Sequence, residues 1–96
     1  MRKQEIIKVL KSYKQDTAAK YGLRDIGIFG SVARDEAGEE SDVDIVVHIT
    51  QPDLFMLAGI KDELEERLHR PIDIITYGQD TNQFLRKRID SEAVYA

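Results

Sequence analysis

The 96-residue sequence contains no cysteine, no tryptophan and only two prolines. The absence of cysteine excludes disulfides, thiolate nucleophiles and zinc sites with cysteine ligands, and it favours the reducing cytoplasm as the compartment. The charged amino terminus is not followed by the apolar run of a signal peptide, and no apolar stretch approaches the roughly 20 residues that a membrane-spanning helix requires. We therefore expect a cytoplasmic protein that does not bind a membrane.

An excess of positive charge is also missing. Lys and Arg number 14 against 18 Asp and Glu, which gives a formal net charge of -4. This balance argues against stable binding to a nucleic acid backbone, and a small anionic substrate would need nearby cations. The hydrophobic content of 42% is typical of a globular protein. The length predicts a single domain, residues 1–96, with no separate domain for recognition of a second substrate.

Four segments have the apolar period or the start and stop signals of helices. The first is predicted from about Arg2 to Lys20, with Gly22 as its C-terminal cap. A short helix is predicted after Gly30, and a last helix from about Thr81 to Ile89. The long third helix follows a capping residue and an early proline, and its apolar stripe is Leu54, Leu57, Ile60, Leu64 and Leu68.

Three segments, 24–29, 42–49 and 72–76, are rich in β-branched residues and predict strands. Helices and strands therefore alternate along the chain. We expect an α/β (α+β) fold, in which a small mixed sheet of about three strands is flanked by about four helices. The aromatic residues expected in the core are Tyr13, Phe29, Phe55 and Phe84.

Asp42 and Asp44 share one face of the second predicted strand, because residues i and i+2 of a strand point the same way. The opposite face, which begins with Val43 and Ile45, is apolar and should pack into the core. Two carboxylates about 5 Å apart repel by roughly 3 kcal/mol at an effective dielectric of about 20. A hard divalent cation such as Mg²⁺, shared with substrate phosphates, would relieve this repulsion. Simple solvation of an exposed Asp-x-Asp is the alternative.

A third acid, Asp73, lies among isoleucines in the third predicted strand, where an unpaired charge would be costly. If this strand lies beside the second, Asp73 can join Asp42 and Asp44 in a cluster that holds two metal ions about 3.5 to 4 Å apart. The alternative for Asp73 is a salt bridge to Arg70 or Arg86.

Gly30 and Ser31 stand where the first strand passes into the short helix. A glycine there lets the backbone approach a phosphate, and free amides at a helix start point toward it. Ser31 can cap the helix and donate a hydrogen bond, although Gly-Ser before a helix is often only an N-cap. Arg34, one turn further on, would project near the same phosphates or remain a solvated charge.

The stretch Gly30-Ser31-Val32-Ala33-Arg34, followed by Ser41-Asp42-Val43-Asp44-Ile45, resembles the nucleotidyltransferase signature of the DNA polymerase β superfamily. In that signature, ten residues separate Gly-Ser from Asp-x-Asp. The similarity covers nearly the whole chain, at the size of the minimal nucleotidyltransferases that act as antitoxins in HEPN/MNT toxin-antitoxin pairs. It therefore implies the polymerase β-like nucleotidyltransferase fold.

The resemblance also implies roles for individual residues. Asp42 and Asp44 would bridge two Mg²⁺ ions, and Asp73 would ligate the catalytic one and could receive the acceptor's proton. The residues implied in nucleotide binding are Gly30, Ser31, Arg34 and Ser41.

Members of this family transfer a nucleoside monophosphate to a hydroxyl. The resemblance implies a Mg²⁺-dependent antitoxin that transfers AMP from ATP to a hydroxyl, expected to be that of a tyrosine, on a partner HEPN toxin. Two alternatives remain open. One is a binding module that neutralises its partner without catalysis, and the other is a nucleotidyltransferase that modifies a small molecule such as an aminoglycoside.

Other polar and aromatic residues give weaker indications of a functional role. Arg86-Lys87-Arg88 is the tight basic cluster of the chain and is interpreted as a solvated helix face or, alternatively, as a contact for nucleotide or partner. His48 has the parity of Asp44 but is more typical of a polar residue at a strand end than of a magnesium ligand. Tyr77, after the third strand, could stack on a base.

Overall fold

The computed structural model describes residues 2–36 and 42–96. The elements in chain order are α1 (Lys3–Tyr21), β1 (Leu23–Phe29), α2 (Gly30–Ala33), β2 (Val43–Ile49), α3 (Leu54–Leu68), β3 (Ile72–Thr76), α4 (Gln83–Glu92) and β4 (Val94–Tyr95). The predicted α+β class is confirmed. The two-residue strand β4 was not predicted, because a segment this short has no readable alternation. In this described part, no helix combines the length and the apolar character needed to cross a membrane.

The four strands form one mixed sheet in the order β3-β2-β1-β4. β2 and β3 are parallel, and α3 supplies the long connection that parallel strands need, whereas β1 is antiparallel to both β2 and β4. The register pairs Asp44 with Asp73 across β2 and β3, and it pairs Asp44 with Phe29 across β2 and β1. The condition set for the acid cluster, that the third strand lies beside the second, is therefore fulfilled.

The larger hydrophobic core lies on the sheet face that is covered by α1 and α3. Val43, Ile45 and Val47 all point into it and are fully buried, as the alternation of the second strand predicted. Buried side chains from the two helices complete this core: Ile6, Leu10, Tyr13, Ile60, Leu64 and Leu68. Because the strand residues on either side of Asp44 are fixed in the core, the backbone that carries this carboxylate is held firmly.

The opposite face of the sheet, which carries the acids, is only partly open. Phe29, Val46 and Ile89 form a second buried cluster there, packed beneath α4. Only the other face was expected to pack into a core, but Val46, which shares parity with Asp44, is fully buried as well. At the end of β2 that carries Asp44 the face is more open, since Asp44 is half-buried and Asp73 beside it is exposed.

Helix ends follow the capping chemistry in the sequence. Gly22 ends α1 in the left-handed conformation with a φ of 65°, as predicted. The Asp53 side chain accepts a hydrogen bond from the amide of Met56 at the start of α3. Asn82 caps α4, so this helix begins after the predicted Thr81 and continues past the predicted end to Glu92. The additional turn places one more acidic side chain near the first strand.

The aromatic residues divide between the core and the surface. Tyr13 and Phe29 are buried as predicted, but Phe55 and Phe84 are 92% and 75% exposed, so that prediction is wrong for both. Each lies in the first turn of its helix. The buried positions of α3 begin only at Ile60, and the exposure of Leu54, at 83%, has the same cause.

A polar contact joins α1 to α3 beside the core. The Glu63 carboxylate accepts hydrogen bonds from the hydroxyls of Tyr13, at 2.9 Å, and Tyr21, at 2.6 Å. The Lys20 ammonium lies 3.6 Å from the same carboxylate. Burial raises the pKa of Glu63, but the two tyrosine hydrogen bonds and Lys20 outweigh it, and the net pKa is lowered. The charged form of Glu63 therefore stabilises the fold.

We expect Glu63→Ala to lower the free energy of unfolding by about 1 to 3 kcal/mol, because the buried Tyr13 hydroxyl loses its acceptor. Because the folded-state pKa is depressed, the contribution of Glu63 is present above its ordinary pKa of 4.5 and is lost as the pH falls through the folded-state value. Urea unfolding at several pH values tests both effects. Glu66→Ala, an exposed change on the same helix, is the control; equal losses in the two variants would contradict the prediction.

Candidate active site

Asp44 and Asp73 are neighbours at one end of the sheet, as the parallel register of β2 and β3 places them directly opposite each other. Asp44 is half-buried and its pKa is raised, first by burial and then by the negative charges of Asp73 and Asp42. Arg88 and Arg34 act in the opposite direction on the same carboxyl. Negative charge is therefore concentrated at Asp44, and two guanidinium groups face it.

The three aspartates are not equally placed. Asp42 precedes the first residue of β2 and is exposed, and Asp73 is exposed as well. The expectation of a costly buried charge at Asp73 is wrong, because the residue lies near the open end of β3. None of the ion pairs described within residues 2–36 and 42–96 involves Asp73, and Arg86 instead donates a hydrogen bond to the Gly78 carbonyl.

Gly30 brings the turn after β1 directly against the Asp44 carboxylate. Its φ is +72°, and a Cβ atom added at this position would lie 2.2 Å from Oδ2 of Asp44. No side chain fits in that space, and an L-residue would also be strained at this φ. The Gly-Ser turn is thus in contact with Asp44.

Ser31 lies inside the short helix that starts at this turn. The predicted capping role is wrong: α2 already begins at Gly30, its N-cap position is Phe29, and no side chain makes the capping bond. The Ser31 carbonyl accepts a hydrogen bond from the Glu36 amide at 2.9 Å. Its side chain is half-buried and adjacent to Gly30. The role of Ser31 in nucleotide binding stays a prediction.

Glu92, at the end of α4, reaches into the same turn. Its Oε2 atom accepts hydrogen bonds from the Gly30 amide at 3.1 Å and from Nη1 of Arg34 at 3.0 Å. The Arg88 Nη2 atom lies 3.8 Å from the same oxygen. Sequence reasoning missed Glu92 because the last helix was predicted to end at Ile89; the i, i+4 spacing of Arg88 and Glu92 was the available signal.

The basic cluster 86–88 does not act as one surface. Arg86 donates a hydrogen bond to the Gly78 carbonyl, and its guanidinium lies over the ring of Tyr77. Lys87 is exposed. Arg88 alone turns toward the acids, with its guanidinium carbon 6.0 Å from the centre of the Phe29 ring.

A group of three aromatic rings occupies the other end of the acid-bearing face. His48 stacks on Tyr77 with a centroid separation of 4.9 Å, and its Nε2 atom lies 2.7 Å from the hydroxyl of Tyr95. The interpretation of His48 as a polar residue rather than a metal ligand agrees with these contacts. Tyr77 is already stacked on His48 and covered by Arg86, which leaves little of its ring for a nucleotide base.

The donor chemistry of the acids fits Mg²⁺. Carboxylate oxygens are the ligands that this ion takes, and the pKa of Asp44 is raised by burial and by the charges of Asp73 and Asp42 despite the opposing effect of Arg88 and Arg34. As they stand, no three His, Cys, Asp or Glu side chains within residues 2–36 and 42–96 form a group able to hold a metal ion. The predicted nucleotide contact Ser41 lies outside the described residues. The metal site therefore stays a prediction.

A glycine turn packed against paired carboxylates, with guanidinium groups beside both, is suited to phosphate chemistry. The sequence matches the nucleotidyltransferase domain family over residues 4–96, and the chain belongs to this family of enzymes.

Two individual relatives within this family are named as protein adenylyltransferases. The chain is 37% identical over 73 residues to the protein adenylyltransferase MntA of Thermococcus cleftensis, covering 75% of this chain and 74% of the relative. It is 34% identical over 92 residues to a Methanocaldococcus jannaschii protein provisionally named a protein adenylyltransferase, covering 95% of this chain and 94% of the relative.

Solved structures share the fold. A structure described as a minimal nucleotidyltransferase superposes with a TM-score of 0.79 at 29% identity, covering 98% of this chain and 95% of the other. An MNT antitoxin complex with the tri-AMPylated HEPN toxin of Shewanella oneidensis gives a TM-score of 0.72 at 18% identity, covering 97% of this chain and 70% of the matched chain. The chain therefore has the fold of the minimal nucleotidyltransferases.

Proposed function

We propose that the chain is a Mg²⁺-dependent antitoxin that transfers AMP from ATP to a hydroxyl of a partner HEPN toxin. The observation that carries this proposal is the contact between Gly30 and the Asp44 carboxylate, with Asp73 in register beside it. Two similar proteins support the transfer of AMP to a toxin. The relative MntA is named a protein adenylyltransferase, and the HEPN toxin in the structurally similar Shewanella oneidensis complex is AMPylated. We further propose that residues 1–96 act as one domain, in the cytoplasm.

Each group in the site has a part in this reaction. The acceptor oxygen attacks the α-phosphorus of ATP, the bond from that phosphorus to the bridging oxygen breaks, and pyrophosphate leaves. The Gly30 amide and the Ser31 side chain hold the triphosphate, and Arg34 balances its charge. Asp42, Asp44 and Asp73 would hold Mg²⁺, which supplies stabilisation of the charge that develops on the phosphates.

We propose that Asp73 also receives the proton of the acceptor hydroxyl. It is exposed, whereas Asp44 is half-buried between the Gly30 turn and β3. An acceptor presented by another protein can therefore reach Asp73 from solvent without opening the fold. The exposed position favours a macromolecular acceptor, expected to present a tyrosine, over a small molecule that would need an enclosing pocket.

Intact mass spectrometry tests the proposal. After incubation of a candidate HEPN toxin with the chain, Mg²⁺ and ATP, we expect the toxin mass to increase by one or more AMP units. Chelation of the metal should abolish the increase. Replacement of both Asp42 and Asp44 by asparagine should abolish it too, and the toxin should regain its activity.

The same experiment separates the alternatives. Neutralisation that survives in the double variant would favour a binding module without catalysis. Nucleotide transfer to an aminoglycoside, with no protein acceptor present, would favour a small-molecule enzyme. Either result would contradict the proposal.

A further inference from the structure

The Glu92 carboxylate is surrounded by groups that ordinarily bind phosphate. One of its oxygens meets a backbone amide from the Gly30 turn, the guanidinium of Arg34 and, somewhat further away, that of Arg88. Backbone amides and arginines are the common partners of phosphate oxygens in proteins. A carboxylate oxygen is the closest protein equivalent of a phosphate oxygen in charge and in hydrogen-bond acceptance.

This carboxylate also lies next to the acids. Gly30 is packed on Asp44, so an anion bound by the Gly30 amide is adjacent to the place where a metal-bound triphosphate would lie. Both Arg34 and Arg88 exert their charge on the Asp44 carboxyl, which shows that the two cations face this point from different elements, the end of α2 and the middle of α4. Both arginines therefore lie within 3.8 Å of the same Glu92 oxygen while coming from different elements of the fold.

Glu92 lies near the end of its helix, where its side chain is partly accessible to solvent. Its side chain is 21% exposed and lies in the last turn of α4, and the residue that follows is extended rather than helical. Arg34 and Arg88 are 39% and 41% exposed at their side chains, so both can also contact a ligand from solvent. None of these three side chains is needed to fill the core.

We propose that the Glu92 carboxylate occupies the position of a triphosphate oxygen, and that Arg88 together with Arg34 binds the triphosphate once it displaces Glu92. This inference rests on the proposed function, since it identifies the groups that receive the nucleotide in the same site. Arg88 is then a phosphate-binding residue contributed by the last helix. Glu92 is a competing anion of the chain itself, which keeps the two arginines in place and weakens nucleotide binding.

Calorimetric titration with ATP and Mg²⁺ tests the inference without any acceptor protein. We expect Arg88→Ala to raise the Kd by about tenfold, because one charge-assisted contact to phosphate is lost. Glu92→Gln keeps an acceptor for the Gly30 amide but removes the competing charge, and it should lower the Kd by about threefold to tenfold. Lys87→Ala removes the same charge from the adjacent, exposed position of α4 and should change the Kd by less than about twofold.

Inorganic tripolyphosphate serves as a second probe, because it carries the phosphates without a base. The two variants should change its affinity in the same directions, and thermal unfolding should show that both remain folded. An unchanged Kd in Arg88→Ala, or weaker binding in Glu92→Gln, would overturn the inference and leave Glu92 as a support for the turn. Absence of binding by the parent protein would overturn it as well.

The inference and the proposed function fail in different ways. If the titrations behave as expected but no protein acceptor gains AMP, the phosphate position stands and the proposed acceptor is wrong. If AMP transfer requires Asp42 and Asp44 while Arg88→Ala leaves the Kd unchanged, the function stands and the role of Arg88 is wrong.

Discussion

Replacement of Asp44 by asparagine is expected to reduce AMP transfer by roughly 10³-fold or more, since the loss of one metal-binding carboxylate removes several kcal/mol of charge stabilisation. The same change should leave the protein folded. Burial and the nearby charges of Asp73 and Asp42 raise the pKa of Asp44, so the folded protein opposes its ionisation. A neutral amide of the same shape relieves that repulsion, and the free energy of unfolding at pH 7 should stay equal or increase.

Initial rates with a candidate HEPN toxin, together with urea unfolding, measure the two effects. Asp80→Asn, an exposed substitution in the loop before α4, is the matched control and should change neither quantity. The combination of lost activity and retained stability is the informative result, because a purely structural role for Asp44 would lower both. Full activity in Asp44→Asn would contradict the assignment of this carboxylate.

Replacement of Gly30 by alanine should both weaken the fold and inactivate the enzyme. The new Cβ atom would lie 2.2 Å from the Asp44 carboxylate, and the φ of +72° is unfavourable for alanine. We expect the free energy of unfolding to fall by about 1 to 3 kcal/mol through backbone strain. We expect transfer to fall by about 10²-fold, because the carboxylate or the turn must move by an ångström or more.

Gly78→Ala is the matched control for this change. A Cβ atom added at Gly78 meets no atom within 4 Å, and its φ does not lie in the left-handed region, so stability and activity should both be preserved. Thermal unfolding and initial transfer rates measure the outcome for both variants. Similar behaviour of the two glycine variants would argue that the space at Gly30 is not required.

Local sequence patterns were sufficient for the parts of the fold that depend on local chemistry. The third strand occupies residues 72–76 as predicted, and the cap at Gly22 follows from the preference of the left-handed conformation for glycine. The adjacency of Asp44 and Asp73 was only a condition of the predicted acid cluster, and the parallel register of β2 and β3 fulfils it. The predicted strand and cap need only short segments.

Features that depend on long-range packing were missed. Whether Phe55 is buried depends on where α3 meets the sheet, which its apolar stripe does not specify. The burial of Val46 depends on α4 covering the acid-bearing face. Glu92 was missed for the same reason, since its partners Gly30 and Arg34 lie about sixty residues earlier in the chain.

The placement of Asp44 between Val43 and Ile45 means that the backbone of Asp44 loses its conformational freedom during folding and not during nucleotide binding. Both neighbours are fully buried, so the position of the crowded carboxylate is set when the sheet folds. The free-energy cost of bringing the carboxylates together is therefore part of folding. Nucleotide binding then requires no rearrangement of this backbone, because the negative charge is already in position. Under the proposed function, substitutions at exposed positions around this strand would change which acceptor binds without changing the position of Asp44.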